Sequence, residues 1–297
     1  MLDLVIAVEG KYTNPNREDW YEAQIAKEDD LLLSACKKHG ISAKLVAWDD
    51  NNFDWSSTKT VLIREVWDYF HRFKEFEQWL ELVSSKTRLI NDAAIIKWNW
   101  DKHYMADVEK NGVAIVPTIF IEVGDQRSLS EIISSSGWDE CILKPCISGG
   151  ARHTYKLNAS TCSEYEKIQA ELIQEEPMML QPFIESIGTK GEVSFIVING
   201  KYEHAVLKKA KAGDFRVQDD WGGTLHEYQI SAKEIRLAEA IVAKSCPEAY
   251  YARVDLVWGS NDELLLGELE LIEPELWFRR NEKAAENLII GIKETIS

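Results

Sequence analysis

The sequence predicts an open parallel α/β unit at its N-terminus and an antiparallel, hairpin-built sheet toward its C-terminus. Three observations carry this. Short apolar runs alternate with helical stretches over residues 1–90. Glu192–Ile198 and Tyr202–Leu207 flank Asn199-Gly200, the dipeptide that best favours a tight hairpin turn. Tyr251–Glu273 reads as two strands around the polar turn Gly259-Ser260-Asn261-Asp262.

In chain order, Leu4–Val8 is an apolar run of the kind buried in parallel sheets, and Asn14-Pro15-Asn16 marks a turn. Asp29 or Asp30 is expected to cap a helix through Leu31–Leu33 to Lys38, stopped by Gly40. Ala43–Trp48 and Val61–Ile63 are further strands, and a helix follows through Phe73, Phe76, Trp79, Leu80 and Val83. Open parallel sheets bind ligands beyond the carboxyl ends of their strands, where Arg64, Asp68 and Tyr69 fall. These three are substrate-site candidates; an Arg64–Asp68 ion pair is the structural alternative.

A helix over Trp100–Lys110 ends at Asn111-Gly112, and Ser128–Ser134 forms a short helix. Cys141–Cys146 is a strand carrying Lys144, followed by Ser148-Gly149-Gly150. Glycines there let backbone N–H groups approach a phosphate, with Lys144 as a point charge. A Gly-Gly turn beside a structural lysine fits the same residues, and neither GxxxxGK[ST] nor GxGxxG is present. Ser163–Glu175 is helical, Met178–Glu185 is a strand ending near Pro182, and Ser186–Gly191 reads as a flexible loop. Lys208–Arg216 is basic within an acidic chain, either a solvated run or an anion-binding loop. Ala232–Ala243 and Ile289–Ile296 are helical.

The final hairpin gathers acids. Glu268 and Glu270 share a strand face by period-2 alternation, and pairing across the turn brings Asp255 beside them. Three converging carboxylates repel one another unless a cation such as Mg²⁺ joins them; an exposed hairpin with solvated acids is the alternative.

Composition narrows the function classes. At 297 residues, the chain accommodates two ordinary domains or three small ones. A net charge of −16 argues against nucleic-acid binding, though local lysines still suffice for a nucleotide. No apolar run reaches the ~20 residues of a membrane span, and MLDLVIAVEGKY, lacking a basic flank, reads as a first strand rather than a signal peptide. The 5 cysteines, without CxxC, read as reduced thiols of a cytoplasmic protein, and the 6 histidines show no zinc spacing. The 11 tryptophans are assigned to packing.

The ordered set resembles the ATP-grasp superfamily. It comprises Lys102, then Lys144 with Gly149-Gly150, then Gln181-Pro182-Phe183-Ile184, Glu192, the basic loop, and Arg253-Val254-Asp255 with Glu268-Leu269-Glu270. Glu268–Trp277, Arg64–Tyr69 and Trp98–Tyr104 look most like the glutathione synthetase-like branch that contains D-cycloserine synthetase. The resemblance implies an α/β and α+β ATP-grasp fold: an N-terminal open parallel domain (1–90), a central lid subdomain (91–182) and a C-terminal antiparallel-sheet subdomain (183–297). It implies an ATP- and Mg²⁺-dependent carboxylate–amine ligase working through an acyl phosphate on a small amino-acid-like substrate. An intramolecular cyclo-ligase is the alternative, and a small-molecule kinase or non-catalytic ATP binder a further one. Lys102, Lys144 and Lys209 would contact phosphates under a Ser148-Gly149-Gly150 lid. Gln181, Phe183 and Ile184 would meet adenine, and Glu192 the ribose. Asp255, Glu268 and Glu270 would hold Mg²⁺, with glutamate where the family often has asparagine at the last position. Arg253, Lys144 and Arg216 would be the catalytic cations, and Arg216 and Gln218 would join Arg64, Asp68 and Tyr69 at the substrate. A homodimer is a family expectation.

Overall fold

The computed structural model describes residues 1–217 and 221–296, and contains three sheets. The first is parallel, with β1 (Leu2–Val8), β2 (Ala43–Ala47), β3 (Thr58–Ile63) and β4 (Arg88–Ile90) in the order β2-β1-β3-β4. Helices α1 (Trp20–Lys38) and α2 (Phe73–Ser84) cover its two faces. Leu4, Ile6, Val8 and Leu62 pack with α1 residues, whereas Val5, Ala7, Val61 and Ile63 pack with Phe76, Trp79 and Leu80 of α2. Burial on both faces is why these strands are continuous apolar runs.

α1 begins well before Asp29. Asp19 caps it, accepting from the N–H groups of Tyr21 and Glu22. Asp29 is instead a buried residue inside the helix. The helix expected over Trp100–Lys110 is also different. Asp92 caps α3 (Ala93–Asn99), residues 100–103 form a turn that holds Lys102, and α4 spans Tyr104–Lys110.

The second sheet is antiparallel, with β5 (Ile119–Ile121), β6 (Glu140–Pro145), β7 (Tyr155–Asn158) and β8 (Met178–Pro182) in the order β5-β8-β6-β7. α5 (Leu129–Ser136), with a Ser128/Glu131 capping box, and α6 (Cys162–Leu172) pack on it. Its hydrophobic core, from Ile121 through Ile132, Leu143 and Leu157 to Leu180, is drawn from this segment alone.

The segment Ser186–Gly191, a loop by composition, makes a short helix, α7 (Ser186–Thr189). The third sheet then runs β11-β10-β9-β12-β13, all antiparallel: β9 (Glu192–Ile198), β10 (Lys201–Lys209), β11 (Thr224–His226), β12 (Tyr251–Trp258) and β13 (Leu264–Glu270). α8 (Ala232–Ser245) joins α4 beneath one face, while α9 (Glu282–Ile296) packs against α1. One hydrophobic cluster therefore unites Leu4, Ile6 and Leu62 of the first sheet with Ile196, Ile198 and Tyr251 of the third. All five cysteines are free and buried, and no helix among the described residues is long and apolar enough to cross a membrane.

Candidate active site

β12 and β13 pair so that Arg253 lies opposite Glu270 and Asp255 opposite Glu268. Residues two apart on a strand share a face, so all four charges point the same way. β13 is an edge strand, and its outer backbone groups need partners. Segment 99–116 supplies them. Asn99 donates to Leu269 O (2.8 Å) and accepts from Leu271 N (2.8 Å), the Tyr104 hydroxyl accepts from Leu269 N (2.9 Å), and Val116 N donates to Leu266 O (2.9 Å). These bonds fix β13 in register and so aim Glu268 and Glu270.

Each acid is met by a cation. Asp255, 2% exposed, accepts from Ser194 Oγ (2.5 Å), from Arg253 (2.9 Å) and from Lys208 Nζ (3.2 Å). Arg253 also pairs with Glu270, and Lys208 with Glu192. Lys102 Nζ lies 3.0 Å from Glu268 and donates to Ser148 O at 2.7 Å. Burial opposes the charge on Lys102, but Glu268, Glu270 and Glu273 outweigh it and raise its pKa. Burial also pushes Glu270 up to about 8, with Arg253 opposing and Glu268 and Asp255 adding to the shift. Glu273 is likewise lifted to about 7, by burial first, against Lys102 and with Glu268. Five carboxyl groups, those of Glu192, Asp255, Glu268, Glu270 and Glu273, are gathered around three basic side chains, Lys102, Lys208 and Arg253.

Facing this floor is the second sheet. Together they enclose a cleft of about 680 Å³ lined by Lys144, residues 148–152, Gln181, Ile184, Glu192, Lys208, Arg216, Arg253, Glu268 and Glu270. Lys144 Nζ has no ion pair among the described residues, and burial pushes its pKa down despite Glu268. The third wall belongs to the N-terminal unit and the 273–277 segment: Tyr12, Trp67, Tyr69, Phe70, Glu273 and Trp277. Trp277 is 2% exposed and left-handed, at φ 45°, a conformation costly for a bulky residue. Its ring lies 5.3 Å from the Arg253 guanidinium and 5.9 Å from Lys208 Nζ, a shared platform for the two cations.

Residues 113–256 match the family model of the prokaryotic glutathione synthetase ATP-grasp domain. The chain belongs to the ATP-grasp superfamily. Its residues 6–91 match the model of the D-cycloserine synthetase DcsG N-terminal domain. It is 29% identical to the cycloserine biosynthesis protein DcsG of Streptomyces lavendulae, over 89% of this chain and 92% of that one. The crystal structure of D-cycloserine synthetase DcsG superposes with a TM-score of 0.85 at 25% identity, covering 99% of both chains. The RimK-domain ATP-grasp protein of Sphaerobacter thermophilus gives 0.68 at 14% identity, over 97% of this chain and 98% of that one, which shows the fold. This ATP-grasp chain is an ATP-dependent ligase that forms C–N bonds.

Within the ATP-grasp cleft, the fold gathers Lys102, Lys144, Ser148, Gly149, Gly150, Gln181, Ile184, Glu192, Arg216, Arg253, Glu268, Glu270 and Tyr69 at the wall, with Asp255 just behind Arg253. Four expected residues are elsewhere. Arg64 is 1% exposed and commits its guanidinium to Pro274 O (2.9 Å) and Glu65 (3.0 Å), not to Asp68 and not to the cleft. Asp68 accepts from Trp48 Nε1 (2.8 Å) and Arg72 (3.0 Å). Phe183 spends its N–H on Glu140 O (2.8 Å), leaving the neighbouring Ile184 at the wall. Lys209 is replaced by Lys208, because β10 and β9 pair Lys208 directly with Glu192 and alternation turns the next side chain away. Gln218 lies outside the described residues. Arg216 pairs with Asp214 (2.7 Å) and lies 3.6 Å over the Trp221 ring.

Sequence reasoning missed Ser194, Asn99, Glu273 and Trp277, and within the basic run it selected Lys209 rather than Lys208. The parity of β10 was enough to choose Lys208. A lone polar residue inside the apolar run of β9 marked Ser194.

Proposed function

We propose that this ligase uses ATP to activate the carboxylate of a small amino-acid-like substrate as an acyl phosphate, which an amine then captures as an amide. The supporting observation is the cation ring of Lys102, Lys144, Lys208 and Arg253 around one cleft whose floor carries surplus carboxylate. Two anions, a carboxylate and a terminal phosphoryl group, must meet for this reaction, and phosphoryl transfer depends on alignment and positive charge. Lys144 and Arg253 would hold the phosphoryl oxygens and the developing acyl phosphate. Lys102 and the Ser148-Gly149-Gly150 loop would cover the phosphates, and Gln181 and Ile184 would border adenine. The lid sheet would exclude water, to which an acyl phosphate is labile.

Hard oxygen donors that outnumber the cations around them fit Mg²⁺, which takes one or two carboxylates together with phosphate oxygens. Asp255, Glu268 and Glu270 would hold it, with Arg253 releasing Glu270. Mg²⁺ supplies charge neutralisation on the phosphates. The five free, buried cysteines suit a cytoplasmic enzyme.

A second reading is closure within a single substrate carrying both carboxylate and amine. The full-length similarity to D-cycloserine synthetase favours it. Incubation with Mg·ATP and single or paired amino acids and small acids, read by ADP release and product mass, separates the readings. Product from one compound, lighter by water or ammonia, means cyclisation; product only from pairs means ligation between molecules. A stable phosphorylated product or no turnover across a broad panel overturns the proposal.

A further inference from the structure

The turn between α3 and α4, residues 100–103, meets the end of β6. We propose that Asp101, His103 and Cys146 form there a binding site for a thiophilic divalent cation of the zinc class, separate from the carboxylates of the ATP cleft. One ligand-capable atom from each residue lies within 4.8 Å of the other two, and among the described residues no other such group of three His, Cys, Asp or Glu side chains occurs. The Cys146 thiol is 0% exposed and makes no hydrogen bond among the described residues, unlike the Cys162 thiol, which donates to Ala159 O at 3.4 Å.

Both ring nitrogens of His103 meet carboxylates. His103 Nδ1 faces Asp101 Oδ1 at 2.6 Å, while Nε2 lies 3.1 Å from Glu122 Oε1. A carboxylate on the distal nitrogen is the common outer support of a metal-bound imidazole. The ring is also stacked on Phe120, with centroids 4.2 Å apart. The two segments are tied through the backbone, since Lys102 N donates to Cys146 O at 2.9 Å. Tetrahedral zinc, with bonds of roughly 2.0 Å to nitrogen and oxygen and 2.3 Å to sulfur, would draw these three atoms, all within 4.8 Å of one another, closer together, with water as the fourth ligand. Sulfur and imidazole together select Zn²⁺ over Mg²⁺, so the site does not compete for the metal of the nucleotide. On binding, the thiol forms the metal–sulfur bond and its proton leaves to solvent. Cys146 lies between Lys144 and Ser148 in sequence, and Lys102 between the other two ligands. An ion here would therefore tie together the two segments that carry Lys102 and Lys144.

The test uses the full-length chain, freed of metal by a chelator and titrated with Co²⁺. The expected result is a thiolate-to-cobalt charge-transfer band that saturates at one equivalent and is displaced by Zn²⁺. Cys146→Ser removes the band, His103→Gln weakens binding at least ~10-fold, and Glu122→Gln weakens it about 10-fold. Cys162→Ser leaves the band unchanged. Cobalt at the cleft carboxylates has oxygen ligands and gives no such band. No charge-transfer band in the wild type, or a band that survives Cys146→Ser, overturns the proposal. Should Cys146→Ser fail to fold, the partly exposed His103→Gln decides, and unaltered affinity there overturns it as well.

Discussion

Gly149 allows a direct test of the proposal that residues 148–150 close over a nucleotide. A β-carbon built there lies 2.6 Å from Phe70 Cε1 and 2.8 Å from Cδ1, about 0.8 Å inside the 3.4 Å where ordinary contact begins. The backbone at Gly149 is not left-handed, so alanine introduces the clash without backbone strain. The Tyr69 and His71 rings flank Phe70 at 5.5 and 4.5 Å and narrow the room it has to turn away. Overpacking of this kind costs about 1–3 kcal/mol, and the lid relieves it by opening. If closure contributes to nucleotide affinity, Gly149→Ala weakens the Kd of a non-hydrolysable ATP analogue about 5- to 150-fold at 1.4 kcal/mol per decade. Global stability changes little, since the open lid has no clash. Calorimetric titration with the analogue and Mg²⁺ measures this without knowledge of the acceptor. The double variant Gly149→Ala/Phe70→Ala restores space, and its affinity should recover toward that of Phe70→Ala alone. Wild-type affinity in Gly149→Ala, or purely additive losses in the double variant, would refute closure against Phe70.

The site and the fold support further predictions. Lys144→Ala and Glu268→Ala each lower turnover at least ~10²-fold, the scale for removing one preorganised stabilising group; near-normal turnover in both rejects this cleft as the site. Lys208→Met has a comparable effect on turnover and also lowers the melting temperature, because Asp255 and Glu192 lose a buried partner, whereas Lys209→Met stays within about 0.5 kcal/mol of wild type. Tyr251→Phe deletes the buried hydroxyl that donates to Ile272 O at 2.6 Å and destabilises by about 1–3 kcal/mol, readable in a denaturant titration. Asp29 supplies a pH test. Burial, reinforced by Glu65, pushes its pKa up to about 9 from 3.8, so folded chains bind its proton more tightly than unfolded ones. Its contribution is therefore fully present below pH 3.8 and lost as pH rises toward about 9. Melting curves of Asp29→Asn against wild type should show the variant gaining relative stability from pH 5 to pH 9; parallel curves would show that Asp29 is not held protonated.

Features written in period and turn chemistry were legible in the sequence. The β9–β10 hairpin follows from Asn199-Gly200, and the facing of Asp255 with Glu268 follows from alternation across the last turn. The first strands of the parallel sheet were equally plain, because burial on both faces leaves uninterrupted apolar runs. What failed depends on contacts distant in sequence. Arg64 looked like a ligand residue because it follows a strand, but Pro274, far along the chain, occupies it. Asn99 carries no local signal; its role appears only when the open edge of β13 lies beside it. The start of α1 was lost because capping by Asp19 outweighs a weak apolar pattern.

The division of hydrophobic cores has an evolutionary consequence. The lid sheet keeps its core to itself, whereas the N-terminal unit and the acid-bearing sheet share one, fastened by Arg64 to Pro274 and by Asn91 to Tyr251 O and Leu271 O. A lid of this kind is a replaceable part: recombination or drift within it disturbs few packing contacts elsewhere. The cleft wall built by the N-terminal unit and segment 273–277 is not. A change that reshapes Tyr12, Trp67 or Trp277 is felt in the same core that positions β12. A reshaped wall would therefore require coordinated substitutions spread over both ends of the chain, while the second sheet is inherited as a block.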